Sequence, residues 1–89
     1  MQADATLADP HYWLGLSLRQ RNRLAEARTE FAIATRLNPA WARAWGNLGL
    51  VLLDQGDKAG ARTALSRALA LDPSDRLARA ALEEMGAGQ

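Results

Sequence analysis

The sequence predicts an all-α chain, an α-solenoid of five helices stacked as helical hairpins, and three observations carry that prediction. Alanine and leucine dominate the 89 residues, β-branched residues are few, and the seven glycines and three prolines stand singly, a composition of packed helices rather than sheets. The apolar residues recur at helical spacing. The chain also matches itself at an offset of 34 residues, the kind of fixed period that decides an architecture before any local reading.

At that offset Leu14 meets Leu48, Gly15 meets Gly49, Leu16 meets Leu50, Leu18 meets Leu52, Ala27 meets Ala61, Ala34 meets Ala68, Leu37 meets Leu71 and Pro39 meets Pro73. Ala8/Ala42, Ala25/Ala59, Arg28/Arg62 and Thr29/Thr63 agree too, so 12 of 34 positions are identical without a gap. That exceeds the few identities an Ala/Leu-rich composition gives by chance.

The elements follow in order. The first helix is expected to open at Asp9-Pro10, an N-cap followed by proline at the first helical position, where its missing N–H costs nothing. It should run to about Arg21 and break around Asn22. A second helix spans about Leu24 to Leu37, where Asn38-Pro39 stops it. In the second unit Trp45 to Asp54 lie in one helix, Gly56-Asp57 make the turn, another helix spans about Lys58 to Leu71, and Asp72-Pro73 end it. A fifth helix begins after Ser74 or Asp75 as N-cap, with Leu77, Ala78, Ala81, Leu82 and Met85 on one stripe. The expected organisation is an N-terminal segment 1–7, poorly ordered, repeats at 8–41 and 42–75, a capping helix 76–86 and a tail 87–89.

Bulk properties narrow the function. The formal net charge is +1 with both signs interspersed, so no strong field gathers nucleic acid or an anionic membrane. The absence of cysteine rules out a disulfide framework and a Cys-based zinc site. Met1 to Asp9 carry two aspartates and no apolar run, which fits neither a signal peptide nor a membrane anchor and leaves the compartment open, cytoplasmic by default. The glycines form no phosphate-binding loop. His11, the single histidine, has no nucleophile or carboxylate arrangement suggesting catalysis, so it is expected to pack or cap near the N-terminus. No catalytic, cofactor or metal site is expected, and the chain is read as a non-enzyme. Arg19, Arg21 and Arg23 cluster where the first helix ends and meet the negative end of its dipole.

The repeat resembles the tetratricopeptide repeat, whose 34-residue signature runs Trp, two residues, Leu-Gly, two residues, Tyr, then a later Ala, an aromatic and a terminal Pro. Trp45, Leu48, Gly49, Leu52, Gly56, Ala61, Leu65, Ala68 and Pro73 hold those stations in the second unit, with leucines at the two aromatic sites. In the first unit the same stations are His11, Leu14, Gly15, Leu18, Asn22, Ala27, Phe31, Ala34 and Pro39. Gly15 and Gly49, with Ala27 and Ala61, are expected to let the two helices of a hairpin approach closely. The last helix departs from the pattern: Glu83 replaces the close-packing glycine and Gly86 the following aromatic, as suits a cap with a polar outer face.

The resemblance implies a concave groove lined by the first helix of each repeat. Carried onto this chain, its stations are Asp9, Tyr12, Trp13, Leu16 and Arg19, then Arg43, Asn47, Leu50, Leu53 and Asp54, with Leu77 and Ala81 added by the cap. Leu16, Leu50 and Leu53 are expected to face water as an apolar binding patch. Asn47 stands where many relatives grip a peptide backbone through an amide that donates and accepts at once; the alternative reading is a solvated polar residue. Trp41 and Trp13 are read either as interface anchors or as side chains buried beneath a neighbouring helix. Relatives that clamp acidic chaperone tails need basic groove residues where this chain has Tyr12, Leu77 and Ala81, so that use is not expected. The resulting expectation is a protein-interaction scaffold that binds a peptide or helix in a largely apolar groove. Self-association into a homo-oligomer is the alternative and RNA binding a remote one, with neither a nucleic acid nor a membrane expected as partner.

Overall fold

The computed structural model describes residues 7–87, and the segments 1–6 and 88–89 at the two ends lie outside the described residues. It contains five helices: α1 (Ala8–Gln20), α2 (Leu24–Leu37), α3 (Ala42–Asp54), α4 (Lys58–Leu71) and α5 (Arg76–Ala87). Each helix packs on the next, and α3 also touches both α1 and α5. The first helices of the units therefore share one layer, with α2 and α4 behind them.

The stop signals act as read. Asn22 and Gly56, one repeat apart, both take left-handed backbone, with φ of 61° and 88°. The N–H of Arg23 bonds the carbonyl of Leu18 at 2.9 Å, and that of Asp57 bonds Leu52 at 2.9 Å. The N–H groups of Asn22 and Gly56 reach Arg19 and Leu53, completing the same C-terminal motif in each hairpin. A Cβ at Gly56 would meet nothing within 4 Å, so only the backbone geometry resists substitution there. Gly56→Ala is expected to cost about 1 kcal/mol, read from the urea midpoint.

The helix starts differ in one place from the expectation. Leu7, not Asp9, is at the cap position of α1, without a side-chain cap bond, and Asp9 lies in the first turn. In this helix, which starts two residues early, Ala8 is completely buried, while Asp9 still meets the positive end of the dipole. The other caps follow sequence chemistry. The Asp57 carboxylate accepts from the N–H of Gly60 at 2.9 Å. Of the two candidates before α5 it is Asp75 that caps, accepting from Ala78 at 3.2 Å, whereas the Ser74 hydroxyl and N–H both bond Asp72. Those two bonds hold the exposed Asp72 carboxyl below its ordinary range.

The core lies between the layers. Phe31, Leu65 and Val51 are its largest fully buried side chains, with Ala27, Ala34, Ala61 and Ala68 filling the close helix crossings. A Cβ on Gly15 would fall 2.7 Å from the Phe31 ring, and one on Gly49 2.6 Å from Leu65 Cγ. The two glycines are thus the points where each hairpin closes, as their place in the repeat required. α5 covers the end of the stack with Ala78 and Ala81 buried, and Glu83 and Glu84 stay exposed.

Candidate functional site

The layer formed by α1, α3 and α5 carries the side chains assigned to the groove, and the structure sorts them by depth. Tyr12 and Asn47 form its floor, at 3% and 5% exposure. The Asn47 amide donates to the Tyr12 hydroxyl at 3.3 Å and to the Arg43 carbonyl at 3.0 Å. The Tyr12 ring lies 4.4 Å from the Trp41 ring at a tilt of 33° and packs edge-on to Phe31 and Trp13. Trp41 is half-buried: it leaves the inter-repeat turn and packs onto Tyr12. An aromatic pin and a buried amide join repeat one to repeat two, so neither Tyr12 nor Asn47 stands free in an open groove.

Leu16, Leu50 and Leu53 are half-buried and pack against the core rather than facing water as expected. The large apolar groups that do stand out on α1, α3 and α5 are Trp13, at 62% exposure, Leu77, at 54%, and Leu14, at 48%.

Two clefts open among these residues. One of about 380 Å³ is lined by Arg43, Gly46 and Asn47 from α3, by Asp72, Ser74 and Asp75 from the α4–α5 turn, and by Arg76 and Leu77 at the start of α5. The other, about 300 Å³, lies at the far end of α1 among Leu16, Arg19, Gln20, Asn22, Leu24 and Asp54. Arg19 Nε sits 3.8 Å from the Asp54 carboxylate and has no hydrogen-bond partner, although that nitrogen is buried. Of the twelve groove residues read from the sequence, Arg43, Asn47 and Leu77 line the first cleft and Leu16, Arg19 and Asp54 the second. Asp9, Tyr12, Trp13, Leu50, Leu53 and Ala81 line neither. The contribution of the α4–α5 turn was missed because Asp72-Pro73-Ser74-Asp75 reads as a helix stop and cap; that it also edges a cleft depends on α5 folding back against α3.

Burial raises the Tyr12 phenol above its ordinary value of 10.0, against the pull of the Arg43 charge and the Asn47 hydrogen bond. The folded state therefore holds the phenolic proton more tightly than the unfolded chain. Its contribution to stability is complete below the unfolded value and is lost as pH rises through the folded one. The melting temperature is expected to fall above pH 10 more steeply in the parent than in Tyr12→Phe, a comparison that thermal scans at successive pH values make directly.

His11 does not belong to either cleft. Its Nδ1 lies 2.7 Å from a Glu30 carboxylate oxygen across the first hairpin, a packing role. Among the described residues no three His, Asp or Glu side chains come together as a metal site.

The tetratricopeptide repeat family matches residues 12–76. The chain belongs to that family. Similar proteins include Protein O-mannosyl-transferase TMTC1 of Homo sapiens, 35% identical over 71 residues, which cover 80% of this chain and 8% of the transferase. The chloroplastic tetratricopeptide repeat domain-containing protein PYG7 of Arabidopsis thaliana is 30% identical over 76 residues, 85% of this chain and 25% of that protein. The Hsp70-Hsp90 organizing protein of Triticum aestivum is 34% identical over 68 residues, 76% of this chain and 12% of its own length. The chain thus spans a quarter or less of these relatives. Tetratricopeptide repeats commonly serve as protein-interaction modules. No described helix is long and apolar enough to cross a membrane.

Proposed function

We propose that the chain is a non-catalytic interaction module that binds a peptide segment across the α1–α3–α5 layer, with one apolar side chain seated beside Trp13 or Leu77. The observation that carries this reading is the cleft between α3 and the α4–α5 turn. Its rim combines two arginines, Arg43 and Arg76, with two aspartates, Asp72 and Asp75, and its wall ends in the exposed Leu77. A rim of both signs suits a segment with polar groups of both signs around an apolar anchor. It suits a purely acidic tail less well. Of the stations at which relatives carry cations for such tails, Tyr12 and Ala81 are buried and Leu77 is apolar. The likeness to an Hsp70-Hsp90 organizing protein is therefore taken as one of architecture.

Panning a random peptide library on the chain, then measuring affinity of the selected peptides by fluorescence polarisation, tests the reading. Leu77→Glu should weaken binding about tenfold or more, the scale of an anchor residue, with the helical circular dichroism signal unchanged because Leu77 is largely exposed. Arg43→Glu should shift the selected sequences toward basic residues. Peptides that bind parent, Leu77→Glu and Arg43→Glu alike would place the site elsewhere and overturn the proposal.

A further inference from the structure

The Asn47 amide meets the first cleft with its acceptor alone. Its side-chain nitrogen lies 3.0 Å from the Arg43 backbone carbonyl. A backbone carbonyl can only accept, so the nitrogen and not the oxygen must stand there. The second amide hydrogen goes to the Tyr12 hydroxyl at 3.3 Å, and both donors are thus spent inside the fold. The amide oxygen accepts from no group among the described residues, where Arg19 Nε is the only sealed side-chain polar atom without a partner. The Asn47 oxygen is therefore open, although the residue is 5% exposed, and it opens on the cleft that Asn47 lines.

Two further acceptors border that cleft. Asp75 caps Ala78 with Oδ1 and keeps Oδ2, which lies 3.5 Å from where a Cβ on the neighbouring Gly46 would stand. Asp72 takes both Ser74 bonds on Oδ1 and keeps its own Oδ2. The ion pairs among the described residues are His11–Glu30, Arg19–Asp54 and Arg23–Glu26, so neither of these carboxylates is paired with Arg43 or Arg76 on the rim.

We infer that the cleft is a subsite for a primary ammonium, carried by a lysine side chain or by the N-terminus of the bound segment; this rests on the peptide reading of the same cleft and narrows it. An ammonium is a compact charge with three donors, and the oxygens of Asn47, Asp72 and Asp75 answer them from α3, the end of α4 and the cap of α5. A carboxylate finds no donor on the Asn47 amide and is repelled by both aspartates. A guanidinium is a rigid planar fork that suits one bidentate carboxylate better than single oxygens on separate segments. Leu77 meets the apolar part of the segment, and Arg43 and Arg76 are left for its carbonyl oxygens.

The test titrates the isotope-labelled full chain with amidated dipeptides and follows its amide signals by NMR. N-acetyl-leucyl-lysine amide carries the ammonium on a side chain and leucyl-leucine amide carries it at the N-terminus. N-acetyl-leucyl-norleucine amide has none, and N-acetyl-leucyl-glutamate amide reverses the sign. At least one ammonium peptide should bind about tenfold or more tightly than the norleucine peptide, the worth of charge-assisted hydrogen bonds, and shift the signals of Gly46, Asn47 and Leu77. Which of the two does so names the source. Asp72→Asn combined with Asp75→Asn should abolish that preference with the helical circular dichroism signal unchanged, because asparagine caps a helix as well as aspartate. Equal binding of the norleucine peptide, tighter binding of the glutamate peptide, or an undiminished preference in the double variant overturns the inference. So does the absence of any shift with both ammonium peptides. Library peptides that bind this cleft without an ammonium overturn the inference alone and leave the peptide reading standing, whereas a library that yields no binder overturns both.

Discussion

Phe31→Ala is expected to lower stability by about 3–5 kcal/mol and the melting temperature by at least about 12 °C. Phe31 is the largest fully buried side chain, and its ring fills the space that the missing side chain of Gly15 leaves open. It also meets the Tyr12 ring edge-on, with centroids 5.9 Å apart. Truncation therefore opens a cavity and removes one wall of the pocket that orients Tyr12 against Trp41 and Asn47. A chain of 89 residues has only about 4–13 kcal/mol of stability in all, so this single change consumes a large share of it. The repeat supplies its own control. Leu65 occupies the same station in the second unit and packs on Gly49 in the same way, so Phe31→Leu should cost only about 1 kcal/mol. Urea denaturation of the two variants side by side checks this, and equal losses would show that the station tolerates no shape change.

How far the fold was legible depended on the range of the cause. The spans of α2 and α4 were read correctly because their ends are set locally, by Asn38-Pro39, Asp72-Pro73 and the turns at Asn22 and Gly56. The start of α1 was not, since burial of Ala8, a tertiary effect, outweighs the capping tendency of Asp9. The groove shows the same division more sharply. The repeat assigned Tyr12, Trp13 and Asn47 to one face, and they do lie on it. Their depth was hidden, because Trp41 comes from a turn to pack on Tyr12 while Trp13 is left exposed among the described residues. Leu14 and Leu48 make the point without any change of residue: each opens a Leu-Gly-Leu triplet, yet among the described residues Leu48 is buried and Leu14 is 48% exposed. A single chain encodes which face a residue takes; how deep it sits is written by the next element.

The second large effect separates two consequences of adding one methyl group to α3. At Gly49 a new Cβ would lie 2.6 Å from Leu65 Cγ, 2.7 Å from Leu65 Cδ2 and 3.3 Å from the Ala61 carbonyl oxygen. Leu65 is fully buried and has no space to retreat into, and the carbonyl belongs to the α4 backbone, so relief requires the two helices of the hairpin to separate. Gly49→Val is expected to cost about 1–3 kcal/mol or more. Gly49→Ala should also destabilise, although alanine favours a helix by about 1 kcal/mol over glycine. Gly46 lies three residues earlier in the same helix. There a Cβ would make only ordinary contacts, 3.5 Å from an Asp75 carboxylate oxygen and 3.9 Å from Ala68 Cβ, so the propensity gain stands alone and Gly46→Ala should stabilise by up to about 1 kcal/mol. Opposite signs from one substitution at two sites cannot come from helix propensity, which acts alike at both. If the two alanine variants shift the urea midpoint in the same direction, close approach of α3 and α4 is not what requires glycine at position 49. Coupling offers a further check: with Leu65→Ala in the background, the cost of Gly49→Ala should fall, because the atoms it strikes are gone.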